Sequence, residues 1–410
     1  MRIAILHAGN SGFFPRFYKA ILTAAESKEH HVALFAPNSG RNRRNKLPNQ
    51  IIWGSKFNWH IHYILYKLTG IQDIFSICAT LSLIRKLKQF NADIIHFNII
   101  NDKIICIPLL IKFINHKNIP VVWTMHDCRA FTGMCPYFDE INCSLWKIGC
   151  KKCPQCDTYF NHAYLTWQIR NKWHTSIKNL TIVTPSEWLS KLVKKSFFKK
   201  NRIITIYNGV NLEGFSDQTD LNIRYKYNIS PDKHIILGCS INWEKRKGLD
   251  YFINLSTLLP KQYQIVLIGN INHEEKQHLN DMNIICTGKT KNFQELVAWY
   301  QAASVFCNPT MADNFPTTNI EALASGTPVV TFKTGGSPEA INKDTGIIVE
   351  QGNVDKLRDA IIQIVIHPEV YTTEKCIERS LLFSNDQYNL YIDLFENITS
   401  KLINPIESKS

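Results

Sequence analysis

Two successive series of short apolar runs, each followed by a stretch long enough for a helix, constrain this 410-residue chain more than any other feature. The first series comprises Arg2–His7, His31–Ala36, Asp93–Phe97, Val121–Met125, Leu180–Thr184 and Ile203–Ile206. The second starts near His234–Cys239 and continues through Gln264–Ile268, Asn283–Cys286, Ser304–Cys307, Pro328–Phe332 and Gly346–Val349. Such alternation predicts parallel sheets with helices on both faces, hence two doubly wound α/β domains. A hydrophobic fraction of 45% suffices for two cores. The turn Tyr207-Asn208-Gly209-Val210-Asn211 separates the series and places the hinge, giving domains 1–207 and 208–385. Asn385 to Ile403 reads as a final amphipathic helix through Tyr388, Tyr391, Ile392, Phe395, Ile398 and Leu402, so 386–410 forms a C-terminal segment.

Charge divides as sharply as the pattern does. Residues 1–200 hold 28 Lys and Arg against 10 Asp and Glu, while the remainder of the chain is weakly acidic. A basic half suits an anionic surface, either nucleic acid or the phosphate-bearing lipids of the cytoplasmic leaflet. Arg41 to Lys46 and Lys194 to Lys200 are the densest runs. In the second, Phe197 and Phe198 among four lysines predict a membrane-surface contact. Solvated lysines are the plain alternative. The best apolar stretch, Ile104 to Ile114, is broken by Pro108 and Lys112, so no span is expected. The run at Met1 stops at His7 and reads as a first strand rather than a leader, which predicts cytoplasmic residence.

In open α/β sheets the loops after the strands carry the chemistry. Gly9-Asn10-Ser11-Gly12 follows the first strand, and His126-Asp127 follows Val121–Met125. Three cations, Lys245, Arg246 and Lys247, precede Gly248 and a helix start, where they could clamp a diphosphate. Thr317 or Thr318 can cap a helix through Ile320, Ala322, Leu323 and Ala324, which Gly326 and Pro328 end. A helix start attracts phosphate, and Asn314-Phe315-Pro316 would hold the loop approaching it. Thr318-x-x-Glu321 equally fits a capping box.

The whole string, Asp313, Phe315-Pro316, Glu321-Ala322, Gly326, Pro328-Val329-Val330, Gly335-Gly336 and Glu339, resembles the family 4 retaining glycosyltransferases of GT-B fold. That resemblance implies two Rossmann-like domains facing each other across a cleft, with a C-terminal helix crossing back to the first. It implies a sugar passed from a nucleotide diphosphate donor to a glycan acceptor, lipid-linked at the inner membrane surface, in cell-surface polysaccharide synthesis. By the same resemblance Asp313 would bind donor-sugar hydroxyls with Asn314 beside it at the sugar end, Phe315 to Thr317 would offer backbone amides, Glu321 would hold the ribose, and Gly12 would contact a phosphate. His126 would contact the transferred sugar, and Lys247 would neutralise the leaving diphosphate. The family's Gly-Arg pair is absent, since Cys239 follows Gly238, so Arg246 would supply the guanidinium. Asp313 and Asn314 stand where glutamate and glycine are commoner. The reaction centre needs no metal on this reading, and no nucleic acid is a partner. Rival readings are a GT-B epimerase or hydrolase of nucleotide sugars and a basic zinc-containing nucleic-acid-binding protein.

Six of the twelve cysteines fall between Cys128 and Cys156. Cys150-Lys151-Lys152-Cys153 supplies half of a tetrahedral thiolate site, and Cys135 with Cys143 completes it, Cys156 or Cys128 being substitutes. A structural zinc is the expectation, with disulfides and free thiols as alternatives.

Overall fold

The structure, a computed structural model, describes residues 1–100, 104–219 and 221–403. It divides into two compact units, one of Met1–Tyr207 with the segment that begins at Asp386, the other Asn208–Asn385.

In the first unit β1 (Arg2–Leu6), β2 (His31–Pro37), β3 (Gln50–Trp53), β4 (Ile94–Phe97), β5 (Val121–Thr124), β6 (Leu180–Thr184) and β7 (Arg202–Thr205) form one sheet. Its order is β3-β2-β1-β4-β5-β6-β7, and every pairing is parallel. All residues of β4, β5 and β6 are buried, as a sheet covered on both faces requires. The two-residue period sends Ala4, Leu6, Ile95, Phe97 and Trp123 into one apolar cluster and Ile3, Ile5, Ile94 and Val122 into another. The second cluster is completed by Tyr391, Ile392 and Phe395 from the helix Asn389–Ile403. That helix packs on the helix Phe14–Glu26, where Lys28 pairs with Asp393 at 2.7 Å and Glu396 at 2.9 Å. The expected final helix therefore starts later, after a 3-10 turn over Asn385–Tyr388, and the Leu402 side chain lies outside the described residues.

In the second unit β8 (His234–Asn242), β9 (Tyr263–Asn270), β10 (Ile285–Gly288), β11 (Val305–Asn308), β12 (Val329–Phe332) and β13 (Gly346–Val349) form a second parallel sheet, ordered β10-β9-β8-β11-β12-β13. β8 runs past the expected end at Cys239, because its register shifts between Cys239 and Asn242 while pairing with β9 persists. Leu357, Ile361 and Ile364 of the helix Val354–Ile366 close over Val330 and Phe332.

The two densest basic runs each bury part of their length. Phe198 is fully buried against Trp123 and His174, and Phe197 packs on Trp167, so the phenylalanines of the Lys194–Lys200 run face the core rather than a membrane. In the Arg41–Lys46 run, Asn42 is buried and its Oδ1 accepts the Asn10 amide at 2.9 Å, which fixes the loop after β1.

Candidate active site

In the second sheet the strand order reverses between β8 and β11, so the loops leaving these strands part and open a crevice at their carboxyl ends. The loop after β8 turns through a 3-10 helix, Lys245–Lys247, into Gly248 at φ 82°. A Cβ on Gly248 would stand 2.2 Å from the Pro309 carbonyl oxygen, so only glycine lets this loop lie against the one leaving β11. The two loops are then stitched together. Met311 N–H donates to the Arg246 carbonyl at 2.8 Å, Arg246 Nη1 donates to the Ala312 carbonyl at 2.8 Å, and Lys247 Nζ meets Asp313 Oδ2 at 2.6 Å. Asp313 is braced from behind by Gly335, where a Cβ would come within 1.7 Å of its carbonyl oxygen. Arg246, Lys247 and Asp313 are thus brought together at the reversal point.

Asn314, Phe315 and Pro316 lead from Asp313 into the helix Thr317–Ala324. Neither threonine caps it. The N-cap is Pro316, with no side-chain cap bond, because the ring presets the backbone but offers no acceptor group. The capping box does not form either: buried Glu321 accepts at Oε2 from the Tyr300 hydroxyl at 3.1 Å. Burial, with Cys239 and Glu321 adding to it, pushes the Tyr300 hydroxyl well above its ordinary pKa, so it remains a donor. Behind the helix lies a buried network that sequence reasoning missed. Asn319 accepts from Asn308 Nδ2 at 2.7 Å and donates to Ser337 Oγ at 3.0 Å, and Ser337 meets Thr331 at 2.7 Å. Only the polar letters at strand ends could have signalled it.

The first unit carries the other two candidates. Gly12 is exposed at φ 64°, with open space where a Cβ would go. Its neighbour Phe13 reaches the His126 ring at 6.4 Å between centroids. His126 Nε2 donates to Asn98 Oδ1 at 2.9 Å, and Phe17 meets the ring edge-on at 5.5 Å. Asn98, which leaves β4 beside the reversal point of this sheet, was not foreseen. Burial lowers His126 to about 4, so it is neutral at pH 7. His7 and His96 fall to about 3 and His174 to about 4, burial being the largest cause in each. The unfolded chain binds protons at these sites near pH 6.5 while the folded unit does not, so their contribution to stability is complete above that pH and is lost as pH falls. Scanning calorimetry should find the first unit's transition about 10 °C or more lower at pH 5 than at pH 7.5.

Cys135, Cys143, Cys150 and Cys153 line one small enclosed cavity with Phe138 and Trp146, whereas Cys156 turns to Thr158 at 3.2 Å and Cys128 is buried elsewhere in the core. Gly133 N–H donates to Cys150 Sγ at 3.2 Å. Among the described residues, no three His, Cys, Asp or Glu side chains stand arranged as a metal-ligand set.

The glycosyltransferase family 4 model matches residues 16–213, and the model described as glycosyl transferases group 1 matches residues 232–367. A protein of Klebsiella pneumoniae described as an uncharacterized 41.2 kDa protein in the cps region is 24% identical over 386 residues, 92% of this chain and 99% of that protein. CapM of Staphylococcus aureus, a capsular polysaccharide biosynthesis glycosyltransferase, is 27% identical over 198 residues, 45% of this chain and 52% of CapM. Among solved structures, Anabaena Alr3699/HepE in complex with UDP superposes with a TM-score of 0.68 at 14% identity, covering 98% of this chain and all of that one.

Proposed function

We propose, since this chain belongs to the family 4 (group 1) glycosyltransferases, that it moves a sugar with retained configuration from a nucleotide diphosphate donor to a lipid-linked glycan in cell-surface polysaccharide synthesis. It is a nucleotide-sugar-dependent glycosyltransferase. The observation that carries the finer reading is the pairing of Lys247 with Asp313 at the reversal point of the second sheet, directly before the Thr317–Ala324 helix. Lys247 and Arg246 would face the diphosphate as it leaves, and the helix start would add its amides. Asp313 would take the sugar hydroxyls, and Glu321, oriented by Tyr300, the ribose. Asn314 to Thr317 would line the phosphates, while Gly12 and neutral His126 would serve the phosphate and the transferred sugar. Negative charge on the departing diphosphate is then balanced without a metal ion. Its oxygen can accept the acceptor's proton during attack on the same face. The relatives' capsular setting supports the choice of acceptor, and the basic first half supports work at an anionic membrane surface from the cytoplasmic side.

To test this, a membrane extract carrying lipid-linked glycans is incubated with labelled UDP, GDP and ADP sugars. Label passing into the lipid fraction from one donor, with its anomeric configuration kept, is the expected result. Release of free sugar or an epimer without transfer would replace this reading by hydrolysis or epimerisation.

We also propose a structural zinc on Cys135, Cys143, Cys150 and Cys153, supported by their shared cavity and by the amide bond to Cys150. The four sulfurs would draw inward on one ion. Elemental analysis of protein purified without added metal should give about one equivalent per chain. No zinc, with all four thiols reacting freely, would remove the site.

A further inference from the structure

The helix Lys56–Thr69 exposes an apolar stripe to solvent. Its inward face is anchored by two buried rings with polar partners: His62 is fully buried with Nδ1 on Ser76 Oγ at 2.6 Å, and Tyr66, packed in the core, donates to Asp157. Asn58, on the same face, closes the first turn by accepting the Ser55 N–H at 2.8 Å. Its outward face is apolar, with Phe57 74%, Ile61 49%, Ile64 56% and Leu68 52% exposed at spacings of four, three and four residues. Residues so spaced form one stripe along a helix. Trp59 and Tyr63 stack beside it at 5.4 Å, both exposed. The stripe continues onto a loop tied to the helix end, since Tyr159 N–H donates to the Lys67 carbonyl at 3.2 Å and Tyr159 and Phe160 are 81% and 59% exposed. A contiguous apolar patch of this kind is uncommon on a domain that works in water alone.

Charge indicates what covers it. From His30 to Gln72 the chain has six Lys and Arg and neither Asp nor Glu. Lys56 begins the helix, and Lys67, near its end, pairs with Asp157 Oδ2 at 3.0 Å, so the net positive charge lies toward the helix start and the Arg41–Lys46 run before it. Aromatic rings at the border of an apolar stripe, with lysines beside them, match the boundary between lipid headgroups and acyl chains. Fourteen residues make a helix of about 21 Å, too short to span a bilayer, and among the described residues no helix is long and apolar enough to cross one.

We propose that this face, Phe57, Ile61, Ile64 and Leu68 with Tyr159 and Phe160, seats the first unit on an anionic bilayer, the helix lying in the plane of the interface. The inference rests on the membrane-bound acceptor proposed above and moves the contact away from the Lys194–Lys200 run. The structural consequence is that the loop of the cysteine cluster, which runs directly into Tyr159, is held beside the lipid.

The test is flotation of the full chain with vesicles of phosphatidylcholine alone or mixed with phosphatidylglycerol. Expected are binding to the mixed vesicles, weak binding to neutral ones, and a loss of at least about ten-fold for the Phe57→Ser/Ile61→Ser/Ile64→Ser variant. A control that removes exposed apolar residues from the second unit, Ile366→Ser/Leu381→Ser, should bind as the wild type does. Binding unchanged in the triple variant, binding lost equally in the second-unit variant, or no binding by the wild type would overturn the proposal. So would a wild type that dimerises through this face, seen as a monomeric triple variant. Nucleotide binding measured without vesicles is a separate readout. Its failure would count against the donor site, whereas failed flotation with intact nucleotide binding would count against this face alone.

Discussion

Lys247→Ala is expected to lower turnover by about 10²- to 10³-fold, the usual effect of removing a group aimed at charge that develops in the transition state. The ammonium group lies 2.6 Å from Asp313 Oδ2 on a loop that Gly248 lets lie against the loop leaving β11, so it is held in place rather than freely swinging. Its loss has two consequences. On the proposed reading the cation that would meet the leaving diphosphate disappears, and the Asp313 carboxylate, only 15% exposed, would be left facing the incoming phosphates. Donor affinity should therefore fall along with kcat. Asp313→Asn separates the two effects, since it removes the pair without leaving a bare anion. It should keep the affinity for free nucleoside diphosphate and lose affinity for the sugar-bearing donor. Steady-state kinetics and calorimetry on both variants check this.

Arg170→Ala should cost the first unit about 3–5 kcal/mol, the range for breaking one side of a buried ion pair. Arg170 and Asp73 are 0% and 2% exposed and meet at 2.6 Å. The guanidinium also donates to the carbonyls of Arg129 and Thr132 at 2.7 and 2.9 Å and to Gln72 Oε1 at 2.7 Å. One side chain thus ties the start of the cysteine-rich loop to the loop carrying Asp73. Its removal strands a buried carboxylate and three acceptors at once. The double variant Arg170→Met/Asp73→Leu should recover part of the loss, because the bare charge goes with its partner. Urea unfolding read from the first unit's transition distinguishes these outcomes, and the single variant should also expose the cavity cysteines to thiol reagents.

Strands buried on both faces were legible to within a residue or two, because short, mostly apolar runs such as Ile94–Phe97 admit little else. β3 went unread: Gln50–Trp53 is a short edge strand beside β2 alone and lacks a long apolar run. The end of β8 was misread because a register shift there lets polar Asn242 stay in the ladder. At the site, residue types were legible and their partners were not. Lys247 and Asp313 are 66 positions apart and meet only because β8 and β11 are neighbours, which no local pattern encodes. The Glu321 contact depends likewise on Tyr300, a residue of a different helix. Local spacing suggested a capping box that Pro316 forestalled. The phenylalanines at 197 and 198 misled for a related reason: composition marks a basic aromatic run, but the turn after the Glu187–Val193 helix decides which way its rings point. The outward stripe at Phe57 was in plain view in the sequence, yet an apolar helical face reads by default as core.

We propose that the second unit holds the donor nucleotide between the Lys247–Asp313 contact and Glu321. Calorimetric titration of the wild type, Glu321→Ala and Lys247→Ala with UDP, GDP and ADP tests it most directly, UDP first because the Anabaena neighbour holds it. The expected result is one nucleoside diphosphate bound by the wild type and at least about ten-fold weaker binding in each variant, with thermal unfolding otherwise unchanged. Equal affinity in all three proteins would contradict it.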